Sequence, residues 1–185
     1  GAIPAPEDVR AAGVQPTPEA RPLVILDESL APLVAEFNAH PAAPHVVALL
    51  SPTCRVGTQA LREALLSPLA QEEFRLTVIW TNVFEGDCHE RMTEAMARLD
   101  DPRVSFFYDP ERRAGRAFAR RFLPVAAACD LYLFYPPGAE WQALPPRPRS
   151  WAHQLGRVSD HHCATSAELI AAIEDSLGEL LAESR

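Results

Sequence analysis

The sequence predicts an α/β protein built on a parallel-rich mixed sheet. Apolar runs of six to nine residues alternate with segments patterned for helices of about a dozen residues. One run, "HVVALLS" at 45–51, is apolar without alternation, which suits a central strand buried on both faces. The chain then closes on two further strand-like segments and an amphipathic helix, and these make the sheet mixed rather than wholly parallel.

Each element has its own signal. Residues 1 to 22 carry Pro4, Pro6, Pro16, Pro18 and Pro22 with almost no apolar periodicity, so they read as an extended arm ahead of a domain over 23–185. "LVILDE" begins the domain as a short strand. Leu30, Leu33, Val34 and Phe37 then recur at helical spacing, with Pro32 tolerated in the first turn. After the 45–51 strand, Thr53 is placed to cap a helix whose first turn holds Cys54 and which carries Ala60, Leu61, Ala64 and Leu65 as far as Ser67-Pro68. "RLTVIWTNV" (75–83) is the next strand, followed by a helix with Asp87 as cap, Glu90 as its capping-box partner, and Met92, Met96 and Leu99 on one face. "RVSFFYD" (103–109) is a strand. Asp109-Pro110 opens a helix that carries Phe118 and ends near Phe122. "DLYLFY" (130–135) and "SWAHQL" (150–155) are the closing strands, separated by the turn "PPG" and a Pro-rich loop. Thr165 and Glu168 form a capping box that opens a helix with Leu169, Ile173, Leu177 and Leu180 inward.

Composition narrows the function. The 185 residues suffice for one domain with a sizeable core, and 48 % hydrophobic with 23 % charged residues is ordinary for a globular protein. The net charge of −8 lies along the chain without long runs, which argues against nucleic acid or an anionic membrane as partner. No segment reaches the roughly 18 apolar residues of a membrane span. All 17 basic residues are arginine, a compositional bias that removes lysine Schiff-base and general-base chemistry. Phosphate-binding glycine loops, G-x-S-x-G and H-E-x-x-H are missing. Gly1 stands where a methionine would start a chain, and with the Pro-rich opening this tilts the expectation toward an exported protein.

Four well-separated cysteines, Cys54, Cys88, Cys129 and Cys163, are too few for a disulfide-stapled scaffold and fit functional or inert buried thiols. A cysteine at a helix start faces unpaired amide N–H groups and the positive end of the helix dipole, both of which favour thiolate over thiol. Cys54 is therefore a candidate nucleophile, with Arg55 an adjacent cation. The plainer alternative is a buried, inert cysteine. The same argument reaches Cys88, beside His89 in "GDCHE", against the alternative of an exposed loop thiol. "HHC" (161–163) lacks the paired spacing of a zinc site. His153 reads as a partly buried histidine beside Trp151, and Trp80, Trp141 and Trp151 read as core and loop anchors.

"VVALLSPTC", "LTVIWTNV", "VSFFYDPERRAGRAFARRF" and "DLYLFYPPG", in that order and spacing, resemble the thioredoxin-like superfamily, in particular its TlpA-like and peroxiredoxin-like branch. The resemblance covers roughly 23 to 182. It implies a thioredoxin-like fold: a central mixed sheet flanked by helices, with the branch's additional strand–helix insertion. It also implies Cys54 as the active-site cysteine within the motif Pro52, Thr53, Cys54, Arg55, Gly57. Two departures stand out. The family's second cysteine falls on Gly57, giving C-R-V-G. The family's cis-proline falls on Cys129 by an ungapped count back from "YPPG", while Pro124 is five residues too early. In the family fold that loop faces the active-site helix, so the resemblance implies Cys129 as a neighbour of Cys54, against its alternative as a small apolar filler before a core strand.

Three functions follow as expectations. The first is a thiol-disulfide oxidoreductase without a cofactor, with Cys54 as nucleophile and Cys129 or an external thiol resolving, acting on a protein disulfide or a small-molecule thiol. The second is a binding protein for a soft ion such as Cu(I) or Hg(II), held by Cys54 and Cys129 with Cys88 or a histidine as third ligand. The third is a catalytically degenerate module kept for protein contacts.

Overall fold

The computed structural model describes residues 22–82, 86, 88–156 and 158–185. The expected N-terminal arm (but for Pro22), the end of the third expected strand at Val83 and the cap at Asp87 lie outside the described residues.

The described chain is an α/β fold with a six-stranded mixed sheet and five α-helices. In chain order the elements are β1 (Leu23–Ile25), α1 (Ala31–Asn38), β2 (His45–Leu50), α2 (Arg55–Leu61), a π-helical turn (Arg62–Leu66), β3 (Arg75–Thr81), α3 (His89–Arg98), β4 (Val104–Asp109), α4 (Arg113–Phe122), β5 (Leu131–Tyr135), β6 (Ser150–His153) and α5 (Ser166–Glu183). The strands lie in the order β1-β4-β3-β2-β5-β6. The first four are mutually parallel, β5 runs antiparallel to β2, and β6 antiparallel to β5. No described helix is long and apolar enough to cross a membrane.

Alternation along the strands builds two cores. Val46, Ala48 and Leu50 face α2, α3 and α5 together with Val78, Trp80, Tyr132 and Phe134. Val47 and Leu49 face the other way, with Ile79, Leu133 and Tyr135, onto α1, α4 and Trp141. β2 is buried along its whole length, as an unbroken apolar run between two helical layers requires.

Several helix starts differ from the sequence expectation. Cys54 is itself the N-cap of α2, and Thr53 makes no cap. Thr53 is drawn back instead: its N–H donates to Ser51 Oγ at 3.2 Å, and the two hydroxyls lie 2.9 Å apart. Cys88 is the N-cap of α3. α4 begins at Arg113, later than Asp109-Pro110, because Arg112 takes the left-handed conformation at φ 54°. Asp109 still caps that helix from a distance, its carboxylate accepting from the N–H groups of Arg113 and Ala114 at 2.8 Å each. The capping box of Thr165 and Glu168 forms as expected.

Past the π-helical turn the chain is held by Arg103. Its guanidinium donates to the carbonyls of Leu69, Glu72 and Leu66 at 2.5, 3.1 and 3.3 Å, pairs with Asp101 at 2.8 Å, and lies 4.3 Å over the Phe74 ring. A planar cation with five donors suits this task.

Candidate functional site

The parallel strands β2, β3 and β4 all end at one edge of the sheet, and β5, running the opposite way, begins there. Leu49 pairs with Leu131, so the chain leaving β2 toward Cys54 and the chain entering β5 through Cys129 and Asp130 meet at this edge. Ligand sites of open α/β sheets favour this edge.

Cys54 is half-buried. Its N–H donates to Ser51 O at 3.0 Å, and its carbonyl accepts from Thr58 N at 3.4 Å and Thr58 Oγ1 at 3.2 Å. Pro52 and Ser51 are buried beneath it. Arg55 is exposed, beside Thr58, Gln59 and Glu63 on the outer face of α2.

Cys129 is also half-buried. Burial holds it far above the ordinary thiol range, reinforced by the charge of Asp130, by a hydrogen bond to the Asp130 side chain and by the charge of Cys54, while Arg112 acts the other way. The charge of Cys54 is thus among the influences that hold Cys129 protonated. Asp130 adopts φ 50°, an uncommon conformation that aspartate tolerates better than most residues. The Ala128 N–H donates to Gly115 O at 3.0 Å, tying the entry to β5 onto α4.

A cation at this edge is Arg112. Its Nε and Nη2 donate to Asn82 O at 3.0 and 2.6 Å, while Asn82 Nδ2 donates to Tyr108 Oη at 2.7 Å. The left-handed turn at Arg112 sends its side chain across to the end of β3.

Gly57, the expected seat of a second cysteine, is buried against β5. A Cβ there would lie 2.5 Å from Tyr132 Oη and 2.9 Å from Leu50 Cδ2. Tyr132 is fully buried, and its hydroxyl has no hydrogen-bond partner. Burial raises its pKa well above the ordinary phenol value, and the charges of Cys54, Asp130 and Cys129 push the same way, so it is a neutral O–H.

Cys88 is exposed at the N-cap of α3, and Gly86 ahead of it reaches Thr53, where a Cβ on Gly86 would lie 3.9 Å from Thr53 Cγ2. Cys163 is exposed and bridges His153 at the outer edge of β6. His153 is fully buried, with Nε2 2.9 Å from Asp160 Oδ1. His162 stacks on Trp151 at 3.7 Å and approaches the Trp151 carbonyl through Nδ1 at 3.0 Å. Among the described residues, no three His, Cys, Asp or Glu side chains gather as a metal site.

Sequence reasoning thus singled out both thiols and missed three groups at the same sheet edge, Arg112, Asp130 and Tyr132. Arg112 was hidden by its unusual backbone, and Asp130 by its place at a strand start. Tyr132 passed for core in "DLYLFY"; the missing side chain at Gly57 was the available signal. No family model, curated protein or solved structure matches this chain.

Proposed function

We propose that the protein is a thioredoxin-like thiol-disulfide oxidoreductase in which Cys54 attacks and Cys129 resolves. The strand order supports the fold reading: three parallel strands, the reversed pair β5 and β6, and β3 with α3 as the added strand–helix unit. The observation that carries the function is geometric: Leu49 pairs with Leu131, so the segments bearing Cys54 and Cys129 meet at one sheet edge, where the charge of Cys54 acts on Cys129.

That influence orders the two steps. The Cys54 thiolate attacks a substrate disulfide R–S–S–R′, forming Cys54–S–S–R and releasing R′–S⁻, which takes a proton from water. The negative charge on Cys54 is lost in that step, and with it one of the forces keeping Cys129 protonated. Asp130 accepts the Cys129 proton, the Cys129 sulfur attacks Cys54 Sγ, and R–SH leaves after protonation. Two electrons pass to the substrate. The enzyme holds a Cys54–Cys129 disulfide until an external dithiol reduces it.

The test is trapping. C129S incubated with a mixed-disulfide substrate should accumulate a covalent adduct at Cys54, and wild type should release it and form the internal disulfide. An adduct that persists equally in wild type removes Cys129 from the mechanism. Failure of Cys54 to form any adduct leaves the protein as a thioredoxin-like interaction module.

A further inference from the structure

Tyr132 is a fully buried phenol on the central sheet whose hydroxyl meets no partner. Such a group is costly to leave unsatisfied, so an orphaned hydroxyl calls for an explanation. Nothing in packing demands oxygen here: phenylalanine would fill the strand position with the same ring. The position of the oxygen is also particular. It occupies the space that any side chain at residue 57 would need, with an ideal Cβ there only 2.5 Å from it.

Residue 57 is the third residue of α2, and Cys54 is its N-cap. An N-cap side chain that turns into its helix folds over the N–H groups of the second and third residues. In this structure Cys54 makes no side-chain cap hydrogen bond; the space above Gly57 is where its sulfur would arrive on turning into the helix. Glycine at 57 leaves that space to the Tyr132 hydroxyl, and Tyr132 lies within the electrostatic reach of Cys54, Asp130 and Cys129.

We propose that Tyr132 is a positioning residue for Cys54: its hydroxyl donates to the Cys54 sulfur anion when that side chain turns into the first turn of α2. Gly57 is the residue that makes the approach possible. The sulfur anion then has two kinds of donor, the backbone amides of α2 and one phenolic O–H, and a second thiol at position 57 is unnecessary. The inference rests on the nucleophilic role proposed for Cys54 and adds to it the group that holds the anion.

Y132F removes one oxygen and keeps the ring, so the core remains filled. The measurement is the rate of carbamidomethylation at Cys54 by iodoacetamide between pH 5 and 10, read site by site by mass spectrometry on the full chain. The expected result is a profile displaced to higher pH, with the rate at pH 7 lowered by about 10- to 100-fold, the scale of one hydrogen bond to an anion. G57A, whose methyl group presses on the phenol, should displace the profile in the same direction. The proposal is overturned if Y132F leaves the profile in place while its melting temperature rises, since the hydroxyl is then a plain unsatisfied group. It is equally overturned if Y132F does not fold and G57A, folded, labels like wild type. A Cys54 that fails to label in wild type overturns the oxidoreductase reading as well, whereas normal labelling with an unmoved profile in Y132F overturns this inference alone.

Discussion

Gly115 of α4 and Ala128, three residues before the start of β5 at Leu131, touch backbone to backbone. The Ala128 N–H donates to the Gly115 carbonyl at 3.0 Å, and a Cβ on Gly115 would lie 2.6 Å from the Ala128 carbonyl oxygen. A close approach of this kind admits glycine alone, because the obstacle is main chain and has no rotamer to change. The contact fixes the segment that delivers Cys129 to the sheet edge.

G115A should therefore push the 123–130 segment off α4. A destabilisation of about 1–3 kcal/mol is expected, the usual range for overpacking at a rigid site. Urea denaturation measures it. In the same variant Cys129 should label faster with iodoacetamide, because burial is the first cause of its suppressed ionisation. An unchanged midpoint with unchanged labelling would refute the anchoring role.

The carboxylate of Asp130 keeps Cys129 protonated through its charge and through a hydrogen bond. D130N removes the charge, and asparagine accepts the left-handed backbone at this position at least as readily. The Cys129 labelling profile should move to lower pH, with faster labelling at pH 8. A profile that stays put or moves upward would contradict the assignment.

Placing a cysteine at position 57 to rebuild a C-x-x-C motif should fail structurally. The new Cβ meets Tyr132 Oη at 2.5 Å and Leu50 Cδ2 at 2.9 Å. G57C is expected to lose about 1–3 kcal/mol. Most of that loss should return in the G57C/Y132F double variant, which relieves the shorter contact. A double-mutant cycle by chemical denaturation isolates this term, and additivity of the two changes would show that the phenol is not the obstacle.

His45 gives stability a pH dependence of known sign. It is 3 % exposed, stacks on Phe37 at 4.8 Å and places Nε2 2.7 Å from Thr77 Oγ1. Burial lowers its pKa from 6.5 to about 4, with Arg75 and His40 acting in the same direction and Glu36 opposing. Between those values the unfolded chain takes a proton that the folded chain refuses. Stability from this group is therefore complete above pH 6.5 and declines as the pH falls toward 4, by up to about 3 kcal/mol. H45Q should flatten that part of the curve, measured as unfolding free energy at intervals between pH 4 and 7. An equal slope in both proteins would exclude His45 as its source.

The strands were legible because their apolar runs are longer than the local ambiguities around them. β2 and β5 form as expected and pair antiparallel, and Cys129 lies two residues before β5. Helix starts were less legible because they depend on backbone conformation as well as residue type. Thr53 has the chemistry of a cap but is drawn back by Ser51, and Asp109 caps α4 across a left-handed Arg112 that no pattern announces. The groups around Cys129 were hidden for a related reason: Arg112 and Asp130 are placed by turns in the chain, and the neutral phenol of Tyr132 meets a neighbour 75 positions away at Gly57.

α2 and the π-helical turn run without interruption from Cys54 to Leu66, whose carbonyl is held by Arg103. Cys54 thus caps one end of a strut, and the other end is bolted beside Phe74 at the far side of the sheet. Loosening the bolt leaves each group around the sulfur chemically intact while the strut gains freedom to slide along the sheet. Substitution of Arg103, remote from Cys54, is a mechanical route to altering the surroundings of that cysteine.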